Sequence, residues 1–377
     1  MKRVGILTHY HNSNNYGGVL QAYALCRVLR ELGTEAEQVR YVMCAPPQSK
    51  AELLRKLLDV KQLSQRIQRK LSPEPPELAG RRAAFARFRD ECVPHSEAVY
   101  THETIAQCGP LYDAFVTGSD QVWNPLNWQE AYMLTFVPEG KTKFSYAASV
   151  AREELTEAQR ADFRRCLVGY RGVSVREQRA VELLRDLSPV PVEQSLDPTM
   201  LLTAGQWDAI CTPRQIEEPY VFCFLLGEDR AQRETARAFA AAKGLPLVTL
   251  PYLAGTRRRC DGGFGDRQLF DVAPGALLSL IRHAEYVLTD SFHASVFSGV
   301  YRKEYFVFTR LFQEAMSVRI RTLTELHGSE DHFCDRPERL SADYLLSLPP
   351  IDYSAQSGEL LRLREESLAY LRRMLDL

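Results

Sequence analysis

The chain has 377 residues, 45% of them hydrophobic, more than one core usually organises, so two domains are expected. Its 47 Lys and Arg against 48 Asp and Glu leave a formal net charge of -1, so no global field draws it to nucleic acid and any anion must be captured locally. The purely apolar stretches, such as 220–226, fall far short of the roughly 18 residues a spanning helix needs. The nine cysteines are scattered, without a Cys-x-x-Cys pair or a Cys/His cluster at zinc-ligand spacing, which points to a reducing compartment and metal-independent chemistry.

Met1-Lys2-Arg3 leads directly into a strand-like run, too short for the apolar core of a signal peptide, so a cytoplasmic location is expected. Residues 3–8 read as a strand, 9–18 as a polar loop and 19–32 as a helix. Val19, Ala22, Tyr23, Cys26, Leu29 and Leu32 share one helical face, and Gly33 follows as a C-terminal cap. Between 50 and 91 lies an Arg-rich helical insertion with eleven Lys/Arg against six Asp/Glu. It reads as a solvated hairpin, or as a surface meeting lipid-linked or acidic substrates at the cytoplasmic face of the membrane. Strands follow at 113–117, 143–148 and 172–175, the last running into a helix over 177–187.

Residues 203–219, with Gly205, Pro213 and Pro219, read as a linker. A second series follows: strand 220–226, helix 229–243, strand 245–250, helix 276–283, strand 285–289, helix 291–301 and strand 304–309. Residues 357–377 form a charged amphipathic helix that in a two-lobed fold crosses back to the first lobe. Strands alternating with helices indicate mostly parallel sheets covered on both faces. The expected units are 1–205, 206–356 and the helix 357–377.

Several loops that follow strands carry chemistry. His11 to Gly18 lacks both Gly-x-Gly-x-x-Gly and a Walker lysine. Its Asn14, Asn15 and Gly17 suit sugar hydroxyls, although Asn and Gly clusters also simply make turns. Gly118-Ser119-Asp120-Gln121-Val122-Trp123-Asn124 sets small and polar groups after a strand. Trp123 is either an apolar platform for a sugar ring or a buried residue of a polar turn. Arg176, at a strand end before a helix, is an anion-binding candidate or an ion-pair partner of Glu177 and Glu182.

In Thr289-Asp290-Ser291-Phe292-His293-Ala294, Asp290 or Ser291 can cap a helix whose first turn presents His293. The alternative is a packed or capped histidine. After the next strand come Arg310, Ser317, Arg319 and Arg321, of which two or more guanidinium groups can converge on one carboxylate or phosphate.

Taken together, the order of these blocks resembles the polysaccharide pyruvyl transferase family over nearly the whole chain. The matching residues are His11-Asn12 through Gly17 with Leu20-Gln21-Ala22-Tyr23, then Tyr112-Asp113-Ala114-Phe115 and Gly118 through Asn124. Ser145-Tyr146-Ala147-Ala148-Ser149, Ser174-Val175-Arg176-Glu177, Leu196-Asp197-Pro198-Thr199 and Asp290-Ser291-Phe292-His293 complete the series. The resemblance implies a GT-B-like α/β architecture, two Rossmann-like domains facing each other across a cleft. It also implies phosphoenolpyruvate as donor, no further cofactor, and as acceptor a hexose of a cell-surface glycan or its lipid-linked oligosaccharide precursor. Family members place a histidine where His293 stands and an arginine where Arg176 stands, around the donor. Several carry a further arginine two residues before the histidine; this chain has Ser291 there, leaving Arg310 or Arg319 to supply that charge.

Ketal formation from an enol phosphate needs a proton donor and an anion clamp. His293 is the acid/base candidate, Arg176, Ser291, Arg310 and Arg319 the donor-binding set. The acceptor set is Asn14, Asn15, Gly17, Gly118, Ser119, Asp120, Gln121 and Trp123, contributed by the first lobe. Two other readings stay open: a nucleotide-sugar glycosyltransferase of the same architecture, and a non-catalytic sugar-binding member.

Overall fold

The computed structural model describes residues 1–43, 76–253, 258–310, 314–354 and 358–377, and of 314–317 the backbone alone. Strands β1 (Arg3–Leu7), β2 (Glu35–Tyr41), β3 (His95–Tyr100), β4 (Ala114–Gly118) and β5 (Thr142–Tyr146) form a sheet in the order β3-β2-β1-β4-β5. Every pairing in it is parallel. A short parallel pair, β6 (Val173–Val175) and β7 (Val192–Gln194), continues it through isolated bridges from Phe144 to Gly172 and from Ala148 to Val175.

The second half repeats the plan with β8 (Val221–Phe224), β9 (Leu247–Thr249), β10 (Arg267–Gln268), β11 (Tyr286–Thr289), β12 (Glu304–Phe308) and β13 (Phe333–Cys334). Their order is β10-β9-β8-β11-β12-β13, again parallel throughout. β4 and β8 are buried at every position, which is why they read as unbroken apolar runs.

Eleven helices lie among the described residues: α1 (Tyr16–Glu31), α2 (Pro76–Cys92), α3 (Glu157–Cys166), α4 (Gln178–Leu184), α5 (Ala204–Asp208), α6 (Arg230–Lys243), α7 (Pro274–His283), α8 (Phe292–Val300), α9 (Glu314–His327), α10 (Ala342–Ser347) and α11 (Gly358–Leu375). None is long and apolar enough to cross a membrane. α1 starts three residues before the sequence pattern suggests, because the Asn15 side chain accepts from the amides of Gly17 and Gly18 and so caps a turn that lacks apolar periodicity. Gly33, with φ of 92°, follows its end in the left-handed region where a glycine meets no steric penalty.

The two halves share one hydrophobic core, which takes in Tyr16 and Leu20 of α1, Leu280 of α7 and Phe297 of α8. The stretch expected as a linker contributes to it. Thr203 and Gln206 form a capping box that starts α5, and this short helix buries Trp207 against Tyr23 of the first half and Phe297 of the second, at ring separations of 5.6 and 4.9 Å. Five residues are too few to show a helical period, so a junction fastened by tryptophan reads as loose chain.

Of the Arg-rich insertion, 50–75 lies outside the described residues. The remainder, α2, is not a solvated hairpin: Leu78, Arg81, Ala84, Phe85 and Phe88 are buried. Phe85 packs tilted against Tyr16, ring centroids 4.6 Å apart, and Arg81 donates to the carbonyls of Phe270 and Pro251 in the second half. α11 returns to the first half, where Tyr370 donates to the Ser145 carbonyl at 2.9 Å and Ser367 accepts from the Leu196 amide at 3.0 Å.

Candidate functional site

Parallel α/β sheets bind ligands at the carboxyl ends of their strands, and here those ends from both halves converge. β7 is followed by Asp197, whose carboxylate is buried. Its Oδ1 accepts from the Thr199 amide and hydroxyl at 3.0 and 2.6 Å. Its Oδ2 accepts from Ser119 Oγ at 2.8 Å and from Arg176 Nη1 at 2.7 Å. His293, in the first turn of α8, points Nε2 at the same oxygen from 3.8 Å, too far for a hydrogen bond but close enough for charge to be felt. Burial disfavours the ionised carboxylate, yet His293, Arg176 and Thr199 outweigh it and hold Asp197 well below the usual carboxylate range.

Arg176 is buried with the charge of Asp197 on one side and Glu177 Oε1 3.5 Å from its Nε on the other. Burial opposes its charge, but Glu177, Asp197 and Asp120 together raise its pKa. Its Nε and Nη2 nonetheless have no hydrogen-bond partner, and buried guanidinium donors left unmade are costly unless a ligand completes them. Arg319 stands nearby in α9. Burial first, and Arg176 next, push its guanidinium down to about 10. Both arginines lie against the Phe292 ring, 5.2 and 5.8 Å from its centroid.

His293 is held from the first half as well. A β-carbon on Gly17 would stand 2.0 Å from its Nδ1, so only glycine leaves room for the imidazole. The helix that carries it is capped by Ser291, which accepts from the Ala294 amide at 3.4 Å. Asp290 instead accepts from the Leu226 and Gly227 amides, both at 2.7 Å, and so ties the ends of β8 and β11 together.

Two cavities reach neighbours of this histidine without His293 itself among their described lining residues. One, of about 510 Å³, is lined by Arg176, Asp197, Phe292 and Arg319 together with α11. The other, of about 590 Å³, opens at the carboxyl ends of β1, β8, β9, β11 and β12 and is lined by Asn14, Asn15, Gly17, Ser291 and Arg310 among others. Expected donor and acceptor residues therefore share a cavity instead of dividing by half: Ser291 and Arg310 line the same cavity as the asparagines, while Arg176 and Arg319 line the other. Arg321 is turned away and pairs with Asp335 at 2.7 Å, and the side chain of Ser317 lies outside the described residues.

The block following β4 departs from expectation. Trp123 is no sugar platform: it is fully buried, its Nε1 donates to the Tyr132 carbonyl at 3.1 Å, and Phe163 and Tyr170 pack edge-on to it. An indole satisfied in this way belongs to the core. Gly118 is also buried, since a β-carbon there would lie 2.3 Å from Leu25 of α1, and Ser119 is spent on Asp197. Asp120 and Gln121 remain half-buried. Asp120 adopts φ of 61°, a strained conformation for a non-glycine residue and one often met near functional sites.

In the sequence Asp197 stands only as part of the Leu196-Asp197-Pro198-Thr199 motif, with no role of its own. Its signal was an Asp two residues before a Thr after a strand, a self-capping turn, but which groups meet there is set by three distant segments. Arg81, Arg82 and Arg258, which also line the larger cavity, carried no signal beyond being members of charge runs.

The two parallel α/β sheets facing each other define a GT-B-like fold. A UDP-GlcNAc 2-epimerase from Methanocaldococcus jannaschii has TM-score 0.54 at 12% identity, with 98% of this chain and 100% of that chain covered. A structure from Listeria monocytogenes assigned as a UDP-N-acetylglucosamine 2-epimerase has TM-score 0.51 at 11% identity, covering 99% and 96%. Arabidopsis thaliana UGT89C1 has TM-score 0.48 at 10% identity, covering 98% and 99%. At such identities the likeness to the two epimerase structures is one of fold alone. The comparison with curated proteins gave no match. The family model for polysaccharide pyruvyl transferase matches residues 15–310, and the chain belongs to that family.

Proposed function

We propose that this chain transfers the pyruvyl group of phosphoenolpyruvate to two hydroxyls of one sugar in a cell-surface glycan or its lipid-linked precursor, forming a cyclic ketal. The observation that carries the reading is the convergence on one spot of His293, the Asp197 carboxylate and two buried guanidinium groups. The unmatched Nε and Nη2 of Arg176, with Arg319 beside them, suit the donor carboxylate. Ser291 and Arg310, across His293, suit its phosphate.

In the reaction so framed, His293 gives a proton to the methylene carbon, which becomes the methyl group. A sugar hydroxyl bonds to the adjacent carbon and its proton passes to the imidazole. The phosphate leaves, and the second hydroxyl closes the ring, its proton passing to the released phosphate. Asp197 sets a negative charge beside the imidazole, and the guanidinium groups hold the negative charges of the donor in place throughout. The reaction takes place in the cytoplasm.

Calorimetry with phosphoenolpyruvate, followed by an acceptor screen read by phosphate release, tests the proposal. Binding at or below millimolar donor and phosphate release dependent on a sugar support it. Absence of donor binding with acceptors present sinks it.

A further inference from the structure

Ketal formation frees two hydroxyl protons. His293 gives one proton to the methylene carbon and is restored by the first hydroxyl, so the proton of the second hydroxyl needs another acceptor before the phosphate carries it away.

The carboxylates about the site differ in what they have left to offer. Asp197 accepts two hydrogen bonds at each oxygen, and Asp290 accepts one at each. Glu177 is paired with Arg176 and accepts from Ser149 Oγ. Asp120, just past the end of β4, accepts from the Gln121 amide at 2.8 Å through Oδ1, and among the described residues no hydrogen bond reaches Oδ2. That oxygen lies 3.2 Å from where a β-carbon on Gly18 would stand, as His293 Nδ1 lies 2.0 Å from one on Gly17. Carboxylate and imidazole therefore reach adjacent residues of one turn, the start of α1. Burial is the leading influence on Arg176 and Arg319, and Asp120 is among the carboxylates that favour the charged form of both, which sets it beside the donor residues. Its backbone, with φ of 61°, is tied to the loop after β5, where the Ser149 amide donates to its carbonyl at 3.0 Å.

We propose that Asp120 is a second catalytic residue of the pyruvyl transfer, the base that takes the proton of the second sugar hydroxyl. As that hydroxyl oxygen bonds to the ketal carbon, its O–H bond breaks, the electron pair stays on the oxygen and the proton goes to Oδ2. The proton then passes to the phosphate already released, which departs as hydrogen phosphate, and the carboxylate is restored with no other reactant consumed. This inference rests on the pyruvyl transfer reading and adds a proton-transferring role that an acceptor ligand alone does not have.

Asp120→Asn tests it, since it keeps the side chain's shape and suits the left-handed turn. In deuterium oxide, with phosphoenolpyruvate and a sugar that supports phosphate release, the variant is expected to form ketal roughly 10² to 10⁴ times more slowly. Its acceptor KM, its donor binding by calorimetry and its melting temperature should stay close to those of wild type. The first addition remains intact and reverses, so unreacted phosphoenolpyruvate should gain deuterium at its methylene carbon when the sugar is present. His293→Ala should show no such uptake. Asp120→Gly, which relieves the backbone at this φ, should lose turnover alike.

Ketal formation at the wild-type rate in either Asp120 variant overturns the proposal. A raised acceptor KM with kcat unchanged makes Asp120 a binding residue, and loss of deuterium uptake together with turnover moves it to the first addition. Both results overturn the proposal and leave pyruvyl transfer standing. Absence of donor binding by the wild type instead removes the pyruvyl transfer reading, and this assignment with it.

Discussion

Gly17 of the first half and His293 of the second lie so close that a β-carbon on the glycine would stand 2.0 Å from the imidazole Nδ1. The same imidazole looks with Nε2 toward Asp197 at 3.8 Å. The candidate acid/base is thus clamped between a backbone that must stay bare and a carboxylate that must stay ionised. Gly17→Ala is expected to push the ring aside and lower turnover on the order of 10²-fold, the scale of about an ångström of misplacement. His293→Ala is expected to lose roughly 10² to 10⁴. Phosphate release measures both: wild-type turnover in His293→Ala makes His293 structural, and wild-type turnover in Gly17→Ala shows that the ring needs no bare backbone beside it.

Asp197 and Arg176 neutralise each other in a buried setting. Asp197→Asn keeps the shape but leaves the guanidinium only the weaker contact with Glu177 at 3.5 Å, and breaking a buried pair of this kind costs about 3–5 kcal/mol. Urea unfolding should show that loss, and the double variant Asp197→Asn with Arg176→Gln should recover a large part of it. Additive losses in the double variant would show that the two groups are not coupled.

Trp123→Ala is expected to act on stability, with a loss of about 3–5 kcal/mol for an emptied core site. If the folded variant is assayed below its unfolding temperature, the KM values for donor and acceptor should move together or not at all. A selective rise in the acceptor KM would return Trp123 to the binding surface.

His327 is buried in α9, with Nδ1 2.8 Å from the Tyr305 hydroxyl, and burial pushes its pKa down from 6.5 to about 4. The folded chain therefore keeps this ring neutral where the unfolded chain takes up a proton. Stability should fall as pH drops from about 6.5 to about 4 and level off below, with a total near 3 kcal/mol from this group. Unfolding of wild type and His327→Gln across that range checks it: the variant's curve should be flatter by that amount.

The sequence by itself determined the alternation of strands and helices, the parallel sheets and the family. Buried parallel strands such as β4 and β8 announce themselves as apolar runs, and the motif blocks that share a linear order are local. β2 and β3, rich in charged and polar residues, and the two-residue β10 and β13 were not legible, because pairing with neighbours and not their own pattern makes them strands.

For the site, His293, Arg176 and Arg319 could be singled out one at a time from strand ends and helix starts. Which of them meet was decided only in three dimensions. Asp197 draws Ser119, Arg176 and His293 together from three separate segments, and Trp123, polar in company but apolar in surface, was taken into the core by Phe163 and Tyr170. The physical reason is that burial, charge pairing and close approach such as that of Gly17 to His293 are properties of distances between remote residues, which a linear pattern does not carry.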